Sequence, residues 1–415
     1  MPPTRLTPED RVLLRSDRDP RARVTTGGIA LLSGPADAAL LRSRLDRASR
    51  TLPILRARVV EPVLATTEPR WIIDPDFDLD HHVRRIALPA PADHAQLLTL
   101  AEQIIGAALD PSRPLWTLTL IEGVGSGAAL VAAASPLLRT ETGPIDLLDL
   151  ALDRSADGRP LPARPVPTDL QPLELAQIGL HELPLRMLAL AAGGVQSAAG
   201  LAIRVATNPG RVVDEAAAVV APPPPRRGSP LLARRSASRA LITLRLPWPG
   251  TEPGAARSAE RAHISCVRAG LLRYHDELGL PRRSLEFVAA RTPAGIARAL
   301  APAHDRVAML GRLVPLLPDG VIDAVARPAR GADVAVSHRS GTLAGSLGRA
   351  RVRERYAVGP VPGNAVTSVA LSTESTLFVA VRYDTAAVRD GIRLARCLTE
   401  GFADVVDSTS TRTSA

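Results

Sequence analysis

Apolar residues recur at helical spacing in ADAALLRSRLDRAS, residues 36–49, with arginines on the opposite face, and again from Leu97 to Leu109. Both stretches predict amphipathic helices. Elsewhere the period falls to two. Trp71-Ile72-Ile73 begins an extended segment, and LWTLTLI, Leu115 to Ile121, alternates as a half-buried strand does. A small-residue apolar run, GAALVAAAS, follows and leads through a polar loop into the amphipathic IDLLDLALD. The glycine-rich GVGSG, Gly123 to Gly127, predicts a hairpin connection between the two strands. The same texture returns after residue 238: RALITLRLP, Ser284 to Ala290 and Phe378 to Tyr383 read as strands, Ala259 to Leu278 and Leu394 to Val406 as helices. Such mixing predicts an α/β protein.

Proline and glycine punctuate the chain into parts. Residues 1–158 form a first lobe. Residues 159–228 form a linker that opens with RPLPARPVPTDLQP, carries a helical stretch around Leu183 to Val205 and closes on the stiff APPPPRRGSP. Residues 229–407 form a second lobe, and 408–415 a frayed tail. Two halves of similar texture joined by a long connector predict a two-lobed molecule without an internal sequence repeat.

Charge narrows the partners. The 415 residues contain no lysine and carry a formal net charge of +9, which favours an anionic partner: nucleic acid, a phospholipid headgroup or a phosphorylated cofactor such as coenzyme A. Nucleic acid is set aside, because aromatic residues are only 2% and supply no stacking platform. Cys266 and Cys397 have no ligand partners nearby in sequence and read as buried thiols in a reducing compartment. The first residues lack an export signal, and the run Met187 to Ile203 is too short and too alanine-rich to span a bilayer. A cytoplasmic protein is expected, peripheral on the inner membrane or on lipid inclusions if it attaches at all. Arg186 and Arg204 around the linker helix, with Arg226-Arg227 and Arg234-Arg235, could meet anionic headgroups; a helix packed on the lobes is the competing reading.

Motif chemistry is sparse. No Walker loop, nucleophile elbow, zincin motif or dinucleotide fingerprint is present. His81 and His82, read on a strand, would point to opposite faces and so could not share a metal; no metal and no bound cofactor are expected.

Several stretches, in order, resemble the bacterial wax ester synthase/diacylglycerol acyltransferase family: LTPEDRVLLRSD, TLPILRARVV, WIIDPDFDLDHHVRRIALPAPAD, LDPSRPLWTLTLIEGVGSGAALVAAAS, AGLLRYHDELGLPRRSLEFVAARTP and RYAVGPVPGNAVTSVALSTESTLFVAVRYDTAAVRD. The resemblance implies two lobes like chloramphenicol acetyltransferase and peptide-synthetase condensation domains, with a tunnel between them. It also implies acyl transfer from long-chain acyl-CoA, as co-substrate, to a fatty alcohol or diacylglycerol. In that family a His-His-x-x-x-Asp-Gly loop supplies the base that takes the hydroxyl proton. Aligned on the preceding strand, the histidine places fall on Ser135 and Pro136, and the Asp-Gly places on Thr140 and Glu141. Proline cannot transfer a proton, and losing a general base costs about a hundred- to ten-thousandfold in rate, so efficient turnover is not expected. Glu141, His263 and His338 are considered as substitutes, each against the reading of an ordinary polar residue. The family's Asn-Asp pair falls on Arg261-Ala262, and VSHRSGT, Val336 to Thr342, stands at its Ser-Asn-Val-Pro-Gly. Pro114, Leu115 and Trp116 match its Pro-Leu-Trp element, which implies a place in the substrate cavity wall; a core tryptophan is the alternative. Three functions stay open: a slow acyltransferase, a non-catalytic acyl-CoA or lipid binder, and a scaffolding relative.

Overall fold

The structure is a computed structural model and describes residues 4–64, 66–153, 155, 157–192, 228–229, 231–248, 255–279, 285–290, 292–293, 295–296, 322 and 332–413. The chain opens with β1 (Thr4–Arg5) and α1 (Pro8–Ser16), whose N-terminus is capped by the Thr7 hydroxyl accepting from the Asp10 amide at 3.2 Å. After β2 (Thr26–Leu32) comes α2 (Ala38–Thr51), capped by Asp37 and burying Leu41, Leu45 and Ala48 at helical spacing. Strands β3 (Ala57–Val60) and β4 (Arg70–Ile73) complete a small sheet with β1.

Next come the short α3 (Leu79–His82), β5 (Val83–Ala87), α4 (His94–Gly106), β6 (Trp116–Val124) and β7 (Gly127–Ala134). The β6–β7 hairpin closes where the glycines predicted it, with Val124 opposite Gly127 and Gly123 and Gly125 at φ +79° and +56°. Such positive φ values are cheap only for glycine. The loop beyond β7 carries β8 (Arg139–Thr140) and β9 (Gly143–Pro144) and ends in α5 (Leu147–Leu152). Helix α6 (Pro172–Ala192) follows an extended segment.

The second half contributes β10 (Arg239–Pro247), α7 (Ala255–Glu277), β11 (Phe287–Ala290), β12 (Val334–Ser340), β13 (Ser346–Leu347), β14 (Ala350–Val358), β15 (Val366–Ser372), β16 (Thr376–Asp384) and α8 (Gly391–Thr413).

Two mixed sheets organise the molecule. The second-half sheet runs β10-β16-β15-β12-β11, parallel across β11, β12 and β15 and antiparallel beyond. Helices α7 and α8 cover one face through Val267, Leu271, Leu394 and Leu398. The six-stranded sheet runs β13-β14-β2-β7-β6-β5 and is built from both halves. Strand β14, from the far end of the chain, pairs antiparallel with β2, setting Tyr356 opposite Ile29 and Val358 opposite Gly27. The division at residues 158 and 229 does not anticipate this exchange.

One face of the six-stranded sheet buries α1, α2 and α5 through Leu13, Leu45, Leu120, Leu130 and Leu148. Its other face carries α4 and meets the second sheet, so that Ile29, Val131, Leu97 and Ile105 share a core with Leu241, Phe378 and Ala380. Within that contact Arg382 of β16 and Glu102 of α4 form a forked ion pair at 2.6 and 2.8 Å, both side chains nearly buried. Bidentate geometry of this kind fixes orientation as well as charge.

Three local expectations are corrected. His81 and His82 end a helical turn rather than lying on a strand; Asp78 caps that turn by accepting from the Asp80 amide at 2.9 Å. The helix expected from Leu183 begins at Pro172, and the remainder of that prediction, 193–205, lies outside the described residues, as does most of APPPPRRGSP. The closing helix runs on to Thr413, through most of the stretch read as a tail.

Candidate functional site between the lobes

The loop leaving β7 carries Ser135, Pro136, Thr140 and Glu141. It folds as a closed turn: the Leu138 amide donates to the Ser135 carbonyl at 3.0 Å, with Pro136 at the second position, where its fixed φ suits the bend. The Ser135 hydroxyl faces its own backbone and accepts from the Leu137 amide at 3.3 Å. Ser135 through Leu138 are buried, and Leu137 and Leu138 join the first-lobe core. Thr140 and Glu141 stand at the β8–β9 hairpin, where Thr140 pairs with Gly143 and Glu141 occupies the exposed tip. A solvated carboxylate there is no substitute base for a site inside the molecule. Arg139 anchors the hairpin to α1 through a forked bond to Asp10 at 2.6 and 2.5 Å.

Between the sheets lies a cavity of about 330 Å3. Its walls are Gly27 and Gly28 of β2, Ala132 and Ala134 of β7, Leu147 and Leu148 of α5, Tyr356 and Ala357 of β14, and Pro293 and Leu371. The glycines matter here: a Cβ on Gly28 would come within 2.8 Å of Leu148, and one on Gly27 within 2.5 Å of Ile105. At one side stand four charged residues, Asp146, Asp149, Arg339 and Arg355.

Asp146 is the centre of this group. It caps α5 by accepting from the Leu148 amide at 3.0 Å, and its Oδ2 takes bonds from Arg355 at 2.7 Å and Arg339 at 2.8 Å. Burial by itself would raise the Asp146 pKa, but the two guanidiniums override it and hold the carboxyl below its usual range. A lowered pKa makes the carboxylate a weaker proton acceptor. Asp149 bonds Arg355 at 2.5 Å and stands 3.8 Å from Arg339. Sequence reading missed this group, although Asp146 ahead of an apolar helical run carries the signature of an N-cap.

The other sequence candidates lie elsewhere. Trp116 is fully buried in the first-lobe core, with Nε1 donating to the Leu55 carbonyl at 2.8 Å, and Leu115 packs beside it. Pro114 and Trp116 border a separate cavity of about 300 Å3 beyond the end of α4, together with His81, Arg84 and Arg113. His82 is sandwiched between Phe77 and Trp116, ring centroids 5.3 and 4.7 Å away, with Nδ1 donating to the Trp116 carbonyl at 2.7 Å. Burial pushes its pKa down to about 4.

His263, on α7, and His338, on β12 of the second sheet, are not among the residues lining the interlobe cavity. His263 is fully buried, Nε2 2.8 Å from the Ser368 hydroxyl, and burial with the neighbouring His338 pushes its pKa down to about 3. Nε2 of His338 lies 3.0 Å from the Ser372 hydroxyl, and burial lowers its pKa too, against the pull of Glu260. Among the described residues, none that lines the interlobe cavity is a histidine.

Both cysteines are buried, on α7 and α8, and burial pushes the Cys266 thiol up to about 12. Arg235 turns inward, donating to the Gly363 carbonyl at 2.8 Å; the Arg186 side chain and Arg204, Arg226 and Arg227 lie outside what the structure describes. Among the described residues, no helix is long and apolar enough to cross a membrane.

Two mixed sheets, one completed by a strand from the opposite half, enclosing a cavity at their junction, define a two-lobed α/β fold of the chloramphenicol acetyltransferase type. The fold is shared with a wax ester synthase/diacylglycerol acyltransferase from Marinobacter aquaeolei VT8, at TM-score 0.59 and 17% identity over 97% of this chain and 98% of that one. It is shared too with the first condensation domain of the CDA synthetase, at TM-score 0.53 and 17% identity over 97% and 96%. The chain belongs to the wax ester synthase/diacylglycerol acyltransferase family: that family's catalytic domain matches residues 6–248. A candidate diacylglycerol O-acyltransferase of Mycobacterium tuberculosis H37Rv is 31% identical to it over 97% of this chain and 91% of the relative.

Proposed function

We propose that this protein binds the acyl chain of an acyl-CoA in the interlobe cavity, with a fatty alcohol or diacylglycerol as acceptor, and that it transfers the acyl group slowly or not at all. The observation that carries this reading is the loop after β7. At the strand end that resembles the family's proton-accepting loop, Ser135 is tied to the Leu137 amide, Pro136 holds the bend, and Leu137 and Leu138 fill the core. Acyl transfer to a hydroxyl needs a base poised near neutral pH. The cavity's own carboxylate at Asp146 is already committed to two arginines and a helix terminus. What remains is an apolar chamber of the size that ligand sites take, which supports binding.

The test pairs two measurements on the purified chain. Calorimetry with a series of acyl-CoA thioesters reports binding, and free-thiol release in the presence of hexadecanol or dioleoylglycerol reports transfer. Saturable binding is expected, with release at least about a hundredfold below that of a histidine-bearing relative. Release at the relative's rate overturns the proposal. A second variant gives a positive control for the chemistry: installing the histidine pair at Ser135 and Pro136, with Asp-Gly at Thr140 and Glu141, tests whether the loop's composition limits the rate.

A further inference from the structure

The interlobe cavity does not end in solid core. Adjoining the charged group lies a second, more open cavity of about 620 Å3, lined by Leu152, Asp153, Ser155, Gly341, Thr342, Ala344 and Gly345. The two cavities share four wall residues: Asp149, Arg339, Arg355 and Leu371. Three of the four, Asp149, Arg339 and Arg355, belong to the ion-pair group, so the two cavities adjoin along that group.

Its chemistry suits a wall better than a receptor. Two arginines face two aspartates, so the group is formally neutral, and its short bonds are already satisfied: Arg355 to Asp146 and Asp149, Arg339 to Asp146. An incoming anion would have to displace a carboxylate that also caps a helix. A hydrocarbon chain would have to lie against ion pairs and strip their remaining water, which costs free energy with no return. The inner chamber is the reverse, small and apolar in its glycine, alanine and leucine lining, and gains free energy from each methylene it takes up.

We infer that this group acts as a partition between the two cavities, with Arg339 as its movable member, and so sets the length of acyl chain this site accepts. Arg339 is the member to swing: its side chain is 37% exposed, against 9% for Arg355, and its contact with Asp149 is 3.8 Å, beyond hydrogen-bonding reach. At about 30 Å3 per methylene, close to the share a water takes in the liquid, the inner chamber of about 330 Å3 holds a chain on the order of ten carbons. Short and medium chains fit; a palmitoyl chain meets the ion pairs. This refines the proposed function and rests on it.

The experiment is a chain-length series. Affinities of saturated acyl-CoA thioesters from butyryl to stearoyl, each below its micelle concentration, are measured for the natural chain, for Arg339→Ala and for Arg339→Lys. In the natural chain each added methylene tightens binding by up to about fourfold, and the gain stops near ten carbons. Arg339→Ala, which removes the partition's movable member, extends the gain to sixteen carbons. Arg339→Lys keeps length and charge and keeps the stop.

A natural chain whose affinity climbs steadily to stearoyl-CoA overturns the inference, whatever the variants do. An Arg339→Ala protein that folds with an unchanged melting profile and still stops near ten carbons overturns it as well. Absence of binding at every length removes the proposed function and this inference together, which separates that failure from the other two.

Discussion

Asp146 serves two arginines and a helix terminus with one carboxylate, whereas Asp149 bonds Arg355 alone. Removing it uncaps α5, leaves Arg355 buried without its principal partner and releases Arg339. Taking one member from a fully buried ion pair costs about 3–5 kcal/mol; with Asp146 26% exposed and Arg355 still bonded to Asp149, the loss here, helix cap included, is about 1–3 kcal/mol. Asp146→Ala is therefore expected to lower the chemical-denaturation stability by that amount. Asp149→Ala, at a site whose side chain is 55% exposed, is expected to cost under about 1 kcal/mol. Equal losses for the two variants would contradict the hierarchy. Part of this was legible in the sequence: an aspartate before LLDLAL announces a cap. Its arginine partners were not, because Arg339 and Arg355 lie about 200 residues away and reach it only through β12 and β14. The same holds for His82, whose side chain pattern alone cannot say that Phe77 and Trp116 close over it.

Secondary-structure elements were more readable than their partners. The helices α2 and α4 and the hairpin of β6 and β7 are local objects, fixed by spacing, caps and glycines within a dozen or so residues, and the sequence shows them. Strand pairing is not local. RARVRERYAV alternates charge and apolar residues as an edge strand does, and β14 does lie next to the edge, covered outside only by the two-residue β13; what the alternation does not show is that its inner neighbour is β2, from the far end of the chain. Gly127 illustrates how tightly that sheet is assembled. A Cβ there would stand 2.2 Å from the Leu32 carbonyl oxygen, a backbone atom of β2 that cannot step aside without breaking the pairing. Gly127→Ala is expected to destabilise the protein by about 1–3 kcal/mol, seen as a lowered denaturation midpoint, whereas Gly34→Ala, with open space around its Cβ position, carries no such clash. A silent Gly127→Ala would mean that the β2–β7 register is looser than the pairing implies.

At the scale of the whole molecule, the two halves are not independent lobes. The first half owns β2 but not the strand that covers its edge, and the second owns β14 but not the sheet it completes. Residues 1–158 produced alone would expose the β2 backbone from Thr26 to Leu32 along with the apolar face that meets Leu241 and Phe378. An unpaired edge beside an apolar surface is a template for association. The fragment is expected to be insoluble or oligomeric in size-exclusion chromatography, and adding the second half as a separate chain during refolding is expected to rescue it. A monomeric, cooperatively melting fragment 1–158 would refute this account of the interface.

The late arrival of β14 also sets a timetable at the ribosome. Its residues pair with β2 across roughly 320 positions of sequence, from Leu32 to Val352. At about 5–20 residues per second of synthesis, the earliest large strand waits on the order of twenty seconds to a minute for its neighbour to be made. Throughout that interval a nascent sheet lacks its covering strand, and the cell must keep it from other polypeptides. The strand that closes the cavity is thus among the last parts of the sheet to be made, and the sheet can be completed only near the end of synthesis.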